Sequence, residues 1–171
     1  IESFIESDKK EPYFFGTIIA DCSETDKISL IDGQQRTTTF LLLLKALLLR
    51  IREVLANMKL DVDTEDLMDA LKERRNMIID ILYKTDADNR NEIYKDWNKV
   101  KDIVILENNS INELYKNDLQ IIIESKDYRD AEYRCHKFSK KQKDNKYTNF
   151  FRNFKFFYSK LGEYKESQLN V

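Results

Sequence analysis

The ten residues from Phe40 to Leu49, Phe-Leu-Leu-Leu-Leu-Lys-Ala-Leu-Leu-Leu, constrain this chain more than any other stretch, because they put leucine on nearly every face of a helix. A helix that is apolar all round has to be enclosed on most sides. A membrane span needs roughly 20 predominantly apolar residues, and here Lys45 interrupts the run while Arg50 and Arg52 follow it. The run is therefore read as a core helix, extending from Thr37 or Thr38 to about Ala56 and forming the hub of the first part of the chain.

Two segments before it have strand character. Phe14-Phe15-Gly16-Thr17-Ile18-Ile19-Ala20 is rich in aromatic and β-branched residues, and Lys27-Ile28-Ser29-Leu30-Ile31 alternates polar with apolar. Joined by the polar stretch Asp21 to Asp26, they are expected to pair as a hairpin. Asp32-Gly33 is turn chemistry. The predicted order is strand, tight turn, buried helix. Ile1 to Ser7 reads as the tail of a helix that ends before Lys9-Lys10-Glu11-Pro12, since proline disfavours helix in the residue before it.

Beyond Thr64 the pattern is helical. Leu67, Leu71, Ile78 and Leu82 repeat at helical spacing after Thr64-Glu65-Asp66, a hydroxyl cap followed by acids that suit a first turn. Ile93, Trp97, Val100 and Val104 form a second amphipathic stripe. A third helix is expected from Ile111 to Ile123, with a short buried strand at Ile121-Ile122-Ile123 as the alternative. Ser125 to Asn145 reads as a polar helix end or connection. Tyr147, Phe150, Phe151, Phe154, Phe157, Tyr158 and Leu161 then mark one face of a last helix, which Gly162 ends. One proline and three glycines in 171 residues fit this helical content. The fold class is α+β and predominantly helical, with a strand–turn–helix subdomain over residues 1–60 and a helical region over 61–171.

The chain has 29 basic and 31 acidic residues, so no global positive field gathers nucleic acid onto it and any anion site is local. Cys22 and Cys135 are far apart and in no CxxC spacing, which points to reduced thiols in a cytoplasmic protein and to no zinc centre. His136 adjoins Cys135, but sequence neighbours do not face each other on a helix, so the pair is incidental. Lys137, Lys140, Lys141 and Lys143, with Arg129 and Arg134, are candidate contacts for DNA phosphates, although interspersed Asp127, Asp130, Glu132 and Asp144 favour a solvated face. The aromatic stripe of the last helix favours core over base stacking. The chain opens on Ile1 without a charged-then-apolar leader and is read as a piece of a longer protein.

The chemistry concentrates at Asp32-Gly33-Gln34-Gln35-Arg36-Thr37-Thr38. Glycine in a tight turn lets backbone approach a ligand, and the amides opening the next helix are free donors at the positive end of its dipole. Arg36 adds a planar charged fork suited to phosphate, and Gln34 and Gln35 supply neutral donors and acceptors for phosphate, sugar, base or water. Asp32 is a candidate to hold magnesium or to orient a water. The hydroxyls of Thr37 and Thr38 are candidates to cap the helix or to touch phosphate. The plainer reading is a turn, a cap and solvated side chains.

Tyr13-Phe14-Phe15-Gly16-Thr17-Ile18-Ile19, a short loop, then Ile31-Asp32-Gly33-Gln34-Gln35-Arg36 followed by Thr-Thr and a Leu-rich helix resembles the N-terminal domain of GmrSD-type modification-dependent restriction enzymes. The resemblance is specific over Tyr13 to Leu49 and implies a ParB/sulfiredoxin-like fold. It further implies binding and hydrolysis of a nucleotide, coupled to restriction of foreign, often base-modified DNA; an NTP with Mg2+ is the expected cofactor. On that resemblance Asp32, Gly33, Gln34, Gln35 and Arg36 are the nucleotide-site motif; residue chemistry then makes Asp32, Gln34, Gln35 and Arg36 the candidates for catalysis, Gly33, Arg36, Thr37 and Thr38 those for holding the nucleotide, and Asp32 that for the metal. Family members usually add an upstream Tyr-Gln-Arg element to the site, for which nothing is available before Ile1, and Thr37 stands where leucine is usual. The HNH-type nuclease that often follows needs more than one histidine, whereas His136 is the only one here, so the nuclease is expected further along the parent chain or on a partner subunit. The rival from another class is a non-hydrolysing DNA-binding or regulatory module; a plain partner-binding helical domain comes third.

Overall fold

A computed structural model describes residues 16–59, 64–106, 116–135, 150–165 and 169. Strands β1 (Ile19–Asp21) and β2 (Ser29–Asp32) form an antiparallel hairpin. Helices α1 (Gln34–Asn57), α2 (Glu65–Leu82) and α3 (Ala87–Lys95) follow, then a 3-10 segment (Trp97–Asp102) and helices α4 (Lys116–Glu124), α5 (Tyr128–Arg134) and α6 (Phe150–Leu161). The chain is α+β and predominantly helical, as its sequence predicts.

Helix α1 is the hub. Leu42, Leu44, Ala46, Leu48, Leu49 and Ile51 are buried, and α6 and α2 both lie along it. On α6, Phe154 is fully buried, and Phe150, Phe151, Phe157 and Tyr158 pack against the same cluster, so the aromatic stripe is core. Tyr128 of α5 stacks on Tyr158 at 4.6 Å, and the Arg50 guanidinium also lies over the Tyr158 ring, 3.6 Å from its centroid. Tyr147, His136 and the lysines at 137, 140, 141 and 143 lie outside the described residues.

Several boundaries differ from the sequence reading, each for a local reason. The first strand begins at Ile19, because Gly16 takes a positive φ of 90° that breaks extended backbone; Phe14 and Phe15 lie outside the described residues. Thr64 precedes α2 but makes no side-chain cap; its hydroxyl donates instead to the Lys59 carbonyl at 3.0 Å. The stripe of Ile93, Trp97, Val100 and Val104 does turn inward, but not on one helix. Asp96 ends α3, and its carboxylate accepts from the Asn98 amide to start the 3-10 turn, the competition with helix that short acidic side chains offer. Val104 then pairs with Tyr83 in an isolated antiparallel bridge. The Ile121–Ile123 triplet is helical, within α4. In the polar stretch after Ser125, Asp127 caps a further short helix, α5, by accepting from the Asp130 amide at 2.8 Å.

The core contains one polar device of consequence. The carboxyl end of α4 is turned inward, and the last carbonyls of a helix have no partner within it. The Ser125 amide and hydroxyl take the Ile121 carbonyl. Tyr83 Oη donates to Ile123 O at 2.5 Å, Trp97 Nε1 to Glu124 O at 2.9 Å, Lys45 Nζ to Ser125 O at 2.6 Å and Arg52 Nη1 to Lys126 O at 2.7 Å. Four successive carbonyls are thus met by four side chains, two from α1, one from the 3-10 segment and one from Tyr83 just after α2. Lys45 also donates to Tyr83 Oη at 3.0 Å and lies over the Trp97 ring.

Burial strips the Lys45 amine of solvation and holds its pKa well below the ordinary 10.5; Arg52 pushes the same way, against Asp130, Glu124 and Asp127. The unfolded chain therefore binds this proton over a range in which the folded chain has released it, and stability rises with pH across that range. Urea unfolding at successive pH values below 10.0, the ordinary tyrosine value, is expected to show that rise, and Lys45→Met is expected to flatten it. An unchanged slope in the variant would mean that Lys45 is not the titrating group.

Candidate functional site

The hairpin meets α1 at a sharp corner. Asp32 ends β2, Gly33 turns the chain at φ 89° and ψ 5°, and α1 begins at once with Gln34. The sequence reading starts this helix at Thr37 or Thr38; it starts a turn earlier because left-handed glycine closes the junction and Gln-Gln-Arg are good helix formers. Gln34, Gln35 and Arg36 therefore occupy the first turn rather than a loop. A Cβ on Gly33 would lie 3.0 Å from Ile18 Cγ1 and 3.3 Å from its Cα, so the corner is packed directly on β1's approach. The strand register pairs Ile19 with Asp32 but Ala20 with Leu30, which leaves Ile31 as a bulge. Bulges bend a strand and re-aim the next side chain, here Asp32.

Asp32 Oδ1 accepts from the Gly33 amide at 2.7 Å, and its Oδ2 lies 3.4 Å from Arg36 Nη2. This ion pair is open to solvent, with side-chain exposures of 63% for Asp32 and 42% for Arg36, and so contributes at most about 1 kcal/mol to folding. Arg36 Nη2 also donates to the Thr17 carbonyl at 2.5 Å. Gln34 Nε2 donates to Leu30 O at 2.7 Å, and Gln35 is exposed. Among the described residues no side chain caps α1, and no acidic residue sits in its first turn. The Thr37 amide makes the first helical bond, to Gly33 O at 2.9 Å, so neither Thr37 nor Thr38 is the cap. Thr37 Oγ1 is buried with no hydrogen-bond partner among the described residues, and Thr38 is half-buried.

The structure thus brings Asp32, Gly33, Gln34 and Arg36 together at one exposed corner, with Gln35 on the same turn. Open amides and a guanidinium can take an anion there. Among the described residues no group of three His, Cys, Asp or Glu side chains comes together. Cys135 is no nucleophile: burial, with Asp118 nearby, pushes its thiol up to about 12, and its Sγ faces the Asp118 carbonyl. Sequence reasoning missed the Gly16–Thr17 segment as part of this corner. The available signal was an isolated glycine inside a strand pattern, which often marks a close backbone approach.

A hairpin that delivers an aspartate, a left-handed glycine and an arginine to the uncapped start of a long buried helix defines a class of strand–turn–helix domain with an open anionophilic corner. A family model described as the GmrSD restriction endonuclease N-terminal domain matches residues 1–171, and the chain belongs to that family. Its setting is a restriction system, whose substrate is DNA. No curated protein and no solved structure matches the chain. No helix among the described residues is long and apolar enough to cross a membrane.

Proposed function

We propose that the corner binds a nucleoside triphosphate and that this cytoplasmic domain hydrolyses it to drive restriction of DNA, base-modified DNA included. The observation that carries the reading is Arg36 held beside Asp32 on the uncapped first turn of α1. The amides of that turn and the Arg36 guanidinium would take phosphate oxygens, with the Thr38 hydroxyl a further candidate contact; Thr37 Oγ1 is buried and would reach a phosphate only if uncovered. A magnesium ion would bind Asp32 once and draw its other ligands from phosphate and water, the usual pattern for Mg2+ beside a nucleotide. Gln35, or Gln34 through its amide oxygen, would orient the attacking water. The cutting itself would fall to a nuclease domain on the parent chain or a partner subunit.

The test is magnesium-dependent phosphate release from each of the four NTPs by the full-length parent protein and its Arg36→Ala variant. The expected loss is at least roughly a hundredfold, the scale of removing a charged donor from a developing phosphoryl charge. Because the contacts of Arg36 are at the surface, the variant should fold normally. Turnover that is equal in the two proteins would move the site elsewhere. Saturable nucleotide binding without turnover would instead favour the regulatory, non-hydrolysing reading.

A further inference from the structure

Nothing on α1 itself fixes where the Arg36 guanidinium points. The contacts that do so come from the far side of the corner. Nη2 donates to the carbonyl of Thr17, which precedes β1, and lies near Asp32 Oδ2. Beside Thr17, Gly16 has φ +90°, and a Cβ built on it would lie 2.4 Å from Arg36 Nη1, 3.2 Å from Cζ and 3.6 Å from Cδ. The guanidinium therefore fills the space that any side chain at position 16 would take. Two independent demands meet on one residue: a backbone conformation that L side chains rarely adopt, and a notch for the arginine.

The notch also leaves Arg36 capable of work. A guanidinium has five N–H donors, and both contacts with described residues use Nη2. Nη1 and Nε make no hydrogen bond with the described residues. The Thr17 carbonyl thus holds the group through Nη2, and Nη1 and Nε are the donors that would meet an anion. Holding a long side chain before the ligand arrives removes ordering cost from binding.

We infer that Gly16 is the positioning residue for Arg36, forming with the Thr17 carbonyl a cradle that aims the guanidinium at the open first turn of α1. This deepens the nucleotide reading and rests on it for its consequence, though not for its geometry. The hydrophobic cluster contains no residue of the hairpin, so a change at Gly16 leaves the helical core intact.

The experiment uses the full-length parent with Mg2+ and a non-hydrolysable ATP analogue, or the analogue of whichever NTP it turns over. Gly16→Ala is expected to weaken binding at least roughly tenfold, as small misplacements of a positioned group do. Added to Arg36→Ala, it is expected to cost nothing more. Without nucleotide, side-chain 15N NMR should show slowed rotation of the Arg36 guanidinium in the wild type and its release in Gly16→Ala. Undiminished binding by Gly16→Ala, or an equal loss in the Arg36→Ala background, overturns the inference. If the wild type binds no nucleotide, the functional reading falls and the NMR result alone decides: a freely rotating wild-type guanidinium refutes the cradle, and slowed rotation released by Gly16→Ala upholds it.

Discussion

Lys45→Ala is expected to lower the unfolding free energy by about 3–5 kcal/mol, while Lys45→Met is expected to stay within about 1–2 kcal/mol of wild type. The Lys45 side chain is fully buried on the hub helix, its amine against Ser125 O and Tyr83 Oη. Alanine removes both contributions, leaving a cavity and an unmet carbonyl. Methionine keeps most of the volume. It leaves Ser125 O without its donor, at about 1–3 kcal/mol, but also removes an amine whose desolvation opposes folding. Urea unfolding followed by Trp97 fluorescence would report the clamp directly, since that ring lies beneath the Lys45 amine and donates to Glu124 O. Two equally damaging substitutions would show that the hydrogen bond outweighs packing. A mild alanine variant would show that the carboxyl end of α4 finds other donors.

The contrast between this lysine and its neighbours shows what a sequence can reveal. The leucines of α1 announce their burial because hydrophobic patterning is local, and the same holds for the apolar faces of α2 and α6. Lys45 reads only as an interruption in that pattern. What makes it a core residue is a carbonyl 80 residues away, and no residue type advertises a backbone acceptor at that distance. The break at Asp96 was written in a short acidic side chain, but its apolar neighbours kept helical spacing across it, so periodicity alone passed over the 3-10 turn. At the site, composition was enough to single out Asp32 to Thr38. It was not enough to place Arg36, whose orientation depends on the Thr17 carbonyl 19 residues earlier and on the missing side chain of Gly16.

Gly33→Val is expected to cut nucleotide binding by at least roughly a hundredfold while the helical core unfolds much as in the wild type. A β-branched residue at φ 89° carries strain of about 1–3 kcal/mol, and its side chain would also press on Ile18. The strain is relieved most easily by opening the corner, because the hairpin lies outside the hydrophobic cluster and the core has no reason to yield. Opening it moves Asp32 away from Arg36 and withdraws the segment before β1 that presents Thr17 O. Gly33→Asn separates the two causes. Asparagine tolerates left-handed backbone far better than valine, so it meets chiefly the 3.0 Å approach to Ile18 Cγ1, a side-chain atom able to shift. Binding by Gly33→Asn should therefore lie between wild type and Gly33→Val. Equal losses in both variants would make the contact with Ile18 the decisive feature and the backbone angle secondary. Full binding by Gly33→Val would mean that the nucleotide site does not depend on this corner, and with it the roles proposed for Asp32, Gln34, Gln35 and Arg36 would fall.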